Sequence, residues 1–175
     1  MKVVTLETIR TMAEAARGVV DRIFVHWTAG HYGQFFDDYH INIDEDGSVH
    51  VSTKDFTERK AHTYHQNSGA IGIALLCAYK ADTNDLGPEP PTEAQLSSLA
   101  EVIAALCEGL DIPIDYAHVR THCEQADEDD YGPATTCERW DLWRLRDGEE
   151  NGTGGEKMRK MAQEAAICFA NSAEA

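Results

Sequence analysis

The sequence predicts an α/β or α+β fold around a mixed β-sheet, and three observations lead there. Helix-patterned and strand-patterned segments interleave along the 175 residues, which calls for a sheet covered by helices. The run "AIGIALLCA" (70–78) is unbroken and apolar, as a strand buried on both faces requires. The stretch "YHINIDEDGSVHVS" (39–52) is a pair of alternating runs around Asp46-Gly47, the signature of a hairpin.

In chain order, residues Thr5 to Val20 place Ile9, Met12, Ala13, Ala16 and Val20 at helical spacing, with Thr5 or Thr8 as N-cap. "RIFVHW" (22–27) is β-branched and aromatic and reads as a strand, followed by the hairpin and the central strand. "GPEPPTEAQLSSLAEVIAALCEGL" (87–110) opens with prolines and a Thr92/Gln95 capping box, then sets Leu96, Leu99, Val102, Ile103, Leu106 and Leu110 on one stripe, which is a helix. "IDYAHVRTH" (114–122) returns to strand chemistry, and the acidic, aperiodic "CEQADEDDYGPATTCE" (123–138) reads as a loop. After the soft linker "DGEENGTGG", a last amphipathic helix at about 155–171 turns Met158, Met161, Ala165, Cys168 and Phe169 inward. No internal repeat interrupts this order, and the length and 42% hydrophobic content suit one domain spanning 1–175.

With 31 acidic against 15 basic side chains, the formal charge of −16 repels phosphate backbones and anionic headgroups, which argues against nucleic acid and membrane as partners. A neutral or cationic partner, or a metal ion, fits better. Five cysteines without a CxxC pair read as reduced thiols. The N-terminal segment carries charges throughout, and no later stretch reaches a membrane-spanning length, so the expected product is made in the cytoplasm without a signal peptide.

Eight histidines make any one of them unremarkable, so a constellation has to carry the chemistry. His26 and His122 both stand where strand-like runs stop, the place where sites gather in such folds. On neighbouring strands they would form two corners of a zinc tetrahedron, with a third N, O or S ligand and an open position for water. Zinc would lower that water's pKa to about 7 and polarise a carbonyl, the equipment of a metal-assisted hydrolase.

Four segments, in order, resemble the zinc-dependent N-acetylmuramoyl-L-alanine amidases, whose fold is shared with peptidoglycan recognition proteins and amidase-type phage lysozymes. They are "FVHWTAG", "DYHINIDEDGSVH", "AHTYHQNSGAIGIALL", and "THCEQA" taken with "ERWDLW", within a core of about 22–145. The resemblance implies an α/β fold with a mixed central sheet flanked by helices, and Zn2+ held by His26, His122 and Asp141. It makes Tyr39 the residue beside the attacking water and Arg139 a cation for the amide carbonyl, and it gives Trp27, Thr28, His62 and Asn67 to the substrate. Tyr131 and the acidic run Asp127 to Asp130 would form a solvated lid over the groove. Where some members carry a catalytic glutamate, this chain has Ala74. Cys137 competes for the third ligand position as the softer donor, but Asp141 follows the basic Arg139 by two residues, as the family's ligand does.

The implied activity is cleavage of the bond between N-acetylmuramic acid and the L-alanine of the stem peptide by a monomer. The implied setting is a phage or prophage endolysin that reaches the wall through a separate pore. The rival expectation is a peptidoglycan-binding module of the same fold that does not cut.

Overall fold

A computed structural model describes residues 1–132 and 137–173, the side chains of Cys137, Glu138 and Ala173 excepted. The chain begins with a short strand β1 (Lys2–Val3) and helix α1 (Leu6–Ala16). Thr5 caps α1 by accepting from the Thr8 N–H at 3.2 Å, and Ile9, Ala13 and Ala16 are its buried stripe. The helix stops four residues short of the expected Val20 because Gly18 turns the chain at φ +80°, a conformation glycine adopts without penalty. Val20 is buried all the same.

Strands β2 (Arg22–Trp27), β3 (Ile41–Ile43), β4 (Val49–Val51) and β5 (Ala70–Leu75) follow, then helix α2 (Glu93–Leu110) and strand β6 (Val119–Thr121). Together with β1 they form one sheet of order β1-β4-β3-β5-β2-β6. The β2/β5, β2/β6 and β3/β5 pairs are parallel, whereas β3/β4 and β1/β4 are antiparallel, so the sheet is mixed and the fold is α/β. The capping box on α2 forms as expected. Its Gln95 is fully buried, and the side-chain amide donates to the carbonyls of Ile43 and Leu76, both at 3.1 Å, which fastens α2 to the ends of two strands.

Strand β5 alternates large and small residues, and alternate residues in a strand face opposite sides. Ile71, Ile73 and Leu75 join Ile23, Val25 and Trp27 of β2 in the core under α1 and α2. Ala70, Gly72 and Ala74 lie in register with Arg22, Phe24 and His26 and leave room on the other face.

Two expectations are corrected. The segment 114–122 is strand only at Val119–Thr121, and the segment read as a loop contains helix α3 (His122–Glu128), followed by the single turn α4 (Cys137–Trp140). The reason is a second capping box, in which the Thr121 hydroxyl accepts from the Glu124 N–H and the Glu124 carboxylate accepts from the Thr121 N–H. His118 therefore lies outside β6, hydrogen-bonded to Asp115 at 2.7 Å. The last helix, α5 (Gly154–Ala173), packs on α2. Among the described residues, no helix is long and apolar enough to cross a membrane.

Candidate metal centre and groove

The last turns of β2, the start of α3 and the residue after α4 converge on one point. His26 reaches it from β2, fully buried, because its strand position faces the small residues of β5 and not the helices. His122 is the first residue of α3, placed there by the Thr121/Glu124 box. Asp141 follows α4 and is 5% exposed. Its Oδ2 lies 3.1 Å from His26 Nδ1 and 3.0 Å from His122 Nδ1, while its Oδ1 accepts the backbone N–H of Trp27 at 2.7 Å. One ligand atom from each of the three residues falls within 4.8 Å of the others.

The electrostatics suit a cation. Burial pushes the His26 pKa down, more than Asp141 pushes it back, so its imidazole is neutral with a lone pair to give. Burial pushes the Asp141 carboxyl up, but the hydrogen bonds with His122 and His26 outweigh it and hold the pKa below the ordinary value. Asp141 is thus an anion, which is costly to bury without a positive partner. Two neutral-capable imidazoles and one carboxylate are a common zinc donor set, and the residues fit that ion. Cys137, the competing third ligand, has its side chain outside the described residues.

Behind the cluster, Thr63 Oγ1 lies 3.4 Å from His26 Nε2 and 3.0 Å from His62 Nδ1. A partner on the far ring nitrogen fixes which nitrogen of a ligating histidine is free. Thr63 lies 37 residues from His26 in sequence, and only the fold brings the two together. His62 is buried directly over Gly72, where a Cβ would sit 2.6 Å from its ring. Burial, then the neighbouring His26, His40 and His122, pushes its pKa down to about 2. Its Nε2 is buried, and a backbone hydrogen bond with Ala70 opposes that shift only weakly. His40 is a scaffold residue: its Nδ1 accepts the Gly72 N–H at 3.0 Å and its Nε2 donates to the Glu58 carbonyl at 2.7 Å.

A cavity of about 310 Å³ opens beside the cluster, lined among others by His62, Thr63, Tyr64, Asn67, His122 and Tyr131. The Tyr64 and Tyr131 rings stack at 4.0 Å and 8°, and Gln66 donates to Asp129 at 3.1 Å, so the 61–67 loop and the segment after α3 meet at one wall. The side chains of Asp127 to Asp130 are exposed on that segment. Asn67 lines the cavity while its Oδ1 accepts the backbone N–H groups of His62 and Thr63 at 3.0 and 2.8 Å. The Tyr39 ring lies 5.1 Å from that of His26, on the side toward β3.

Three of the expected site residues have partners within the protein. The Trp27 side chain is 2% exposed in the core, its ring tilted at 59° to that of Trp140 with centroids 5.7 Å apart, and its backbone N–H serves Asp141. The Thr28 hydroxyl accepts from the N–H groups of Gly30 and Cys77, which ties the ends of β2 and β5 together. Arg139 spends all three guanidinium nitrogens on Gly132 O, Asp127 and Asp130, at 2.8, 2.7 and 2.8 Å. Two carboxylates neutralise its charge, which weakens it as a partner for a developing oxyanion.

A family model described as N-acetylmuramoyl-L-alanine amidase matches residues 16–139. Solved structures similar to this chain include the endolysine N-acetylmuramoyl-L-alanine amidase LysCS from Clostridium intestinale URNW, at 18% identity over 66% of this chain and 74% of that one, with a TM-score of 0.48. LysC from the same organism gives 18%, 66%, 75% and 0.47. PGRP-Hd from Alvinella pompejana gives 17%, 66%, 85% and 0.42. No curated protein matches the chain.

Proposed function

The chain belongs to the N-acetylmuramoyl-L-alanine amidase family, and from that premise we propose that it is a zinc-dependent hydrolase of peptidoglycan, cutting the amide bond between N-acetylmuramic acid and L-alanine. The observation that carries the zinc reading is the convergence of His26, His122 and Asp141 within 4.8 Å at the side of a cavity that His122 also lines. The whole chain acts as one monomeric amidase unit in this reading.

His26, His122 and Asp141 would hold the ion, with Asp141 offering Oδ2 while the Trp27 N–H retains Oδ1. Zinc supplies a Lewis acid that polarises the scissile carbonyl and activates water near neutral pH. Thr63 holds the His26 ring from behind. The Tyr39 hydroxyl orients the attacking water or relays its proton, a role supported by the ring's place beside His26. His62 and Asn67 hold the substrate in the groove, a role supported by their place in the cavity lining beside His122. Arg139 acts by fixing the acidic segment across Asp127 and Asp130. With Ala74 in register with His26, no carboxylate stands on β5 to act as base, which leaves that work to Tyr39.

The test is digestion of purified peptidoglycan. Free L-alanine amino termini should appear without new reducing sugars, stop on chelation and return with zinc. New reducing ends would mark a glycosidase, and binding without cleavage by zinc-loaded protein would mark a recognition module. We place the enzyme as a phage or prophage endolysin, the setting in which a small amidase is released to the wall by a separate pore. Expression inside a bacterium should then lyse cells only when a pore-former is co-expressed.

A further inference from the structure

Helix α5 lies beyond the region shared with the family model, which ends at residue 139, and its first turns grip both late ligand segments. Arg159 forms a two-pronged ion pair with Glu124, its Nη1 and Nη2 each 2.8 Å from a carboxylate oxygen, and Nη1 also donates to Val119 O at 3.0 Å. Both side chains are largely buried, at 12% and 16% exposure. Glu124 is the residue whose carboxylate closes the α3 cap by accepting the Thr121 N–H at 3.0 Å, and His122 is the first residue of that helix. The fit is tight: a Cβ on Gly155 would stand 2.1 Å from Glu124 Oε1.

The same turn of α5 holds the chain just after Asp141. The Trp143 carbonyl accepts the N–H groups of Gly152 and Gly154 at 2.8 and 2.9 Å, and a Cβ on Gly154 would lie 2.2 Å from Leu142 O. Leu142 itself sits at φ +59°, a left-handed conformation that a leucine keeps only under the constraint of its surroundings. The Asp141 carbonyl in turn accepts the Cys123 N–H at 3.2 Å, so α3 and the Asp141 segment are tied to each other as well as to α5.

We propose that α5 is a strut for the metal centre, with Arg159 as a positioning residue that sets where His122 stands relative to His26 and Asp141. The inference rests on the metal reading above. An Arg–carboxylate fork fixes direction as well as distance, and Arg159 has it on the residue that caps the ligand helix. Outer partners that orient ligands typically change metal affinity by about 10–100-fold when removed. Arg159 acts one bond further out, so the low end of that range is expected.

The experiment measures zinc affinity of the metal-free full-length protein by competition with a chromophoric chelator. It also records the imidazole nitrogen resonances of His122 and His40. Arg159→Ala should weaken zinc binding about tenfold and shift the His122 resonances while those of His40 stay in place. Arg159→Lys keeps the charge but not the fork and should fall between wild type and alanine. Gly155→Ala should push the Glu124 carboxylate aside with every charge still present, and alanine is the better helix former, so weaker zinc binding there cannot come from a weaker helix. If Arg159→Ala does not fold, the other two variants carry the test. Unchanged zinc affinity and unchanged His122 resonances in folded variants, with only a lower melting temperature, would overturn the proposal. Wild-type protein that binds no zinc would refute the metal reading, while the His122 resonances would still decide this one.

Discussion

On the helical side of the sheet, Ile71, Ile73 and Leu75 fill the space under α1 and α2 with apolar volume. On the opposite side, Ala70, Gly72 and Ala74 of the same strand leave that space to buried imidazoles, with His62 over Gly72 and His26 beside Ala74. One face is regular and close-packed, held by helices. The other is covered by the irregular 53–69 segment and held by side-chain hydrogen bonds to backbone, as at His40 and Asn67. The difference teaches that a strand which looks uniformly apolar can be two-sided by size, with the small side reserved for chemistry.

The sharpest way to break this comparison is at Asp141, which bonds both His26 and His122. Asp141→Ala should abolish zinc binding and amidase activity while the helical core keeps the far-ultraviolet signal, and Cys137→Ser should keep both. The opposite pair of results would hand the site to Cys137.

Tyr39→Phe comes next in size. The ring would still pack beside His26, so zinc is retained, but turnover should fall by about a hundredfold to ten-thousandfold, the usual contribution of a general acid–base group. Unchanged kcat would reduce Tyr39 to a packing residue.

A matched pair on β5 then sets one face directly against the other. Gly72→Ala should cost about 1–3 kcal/mol by overpacking and lower kcat/KM, because the added methyl must displace the His62 ring. Ile73→Val, one residue on, should cost about 0.5–1.5 kcal/mol and leave kcat/KM unchanged. Equal effects on activity in the two variants would contradict the division of labour between the faces.

The last effect is on pH, and bears on stability alone. Burial lowers the pKa values of His26, His40 and His62 from the ordinary 6.5, so the unfolded chain takes up protons near pH 6.5 that the folded chain refuses. Their contribution is fully present above that pH and is lost as pH falls from 6.5 toward the folded values. The unfolding free energy of metal-free protein, followed through its urea midpoint, should therefore be flat above pH 6.5 and decline below it, by up to about 1.4 kcal/mol per pH unit for each histidine. A midpoint insensitive to pH between 7.5 and 5.5 would show that these rings are not held neutral.

Much of the helical face was legible in the sequence, because period and capping chemistry are local: the Thr92/Gln95 box and the α2 stripe lie where they were expected. The hairpin around Asp46-Gly47 was legible for the same reason. Helix α3 was missed although Thr121 and Glu124 have the spacing of a capping box, since the acidic composition of 123–130 masked it. His26, His122 and Asp141 were named through resemblance and are brought together by the fold. Thr63 and Arg159 were invisible, because each works through a contact across 37 and 35 residues respectively, and no local pattern encodes such a contact. For Trp27 and Thr28, nearness in sequence to His26 says nothing of which way a strand turns a side chain.

The pinned Asp141 carboxylate bears on which ion the site will accept. With Oδ1 retained by the Trp27 N–H, only one carboxylate oxygen faces the two imidazoles. Calcium asks for six to eight oxygens, and magnesium for an octahedron of them. A cleft offering two nitrogens and a single oxygen is a poor home for either. In the proposed zinc reading, the hydrogen bond from Trp27 would thus bias the site against hard cations.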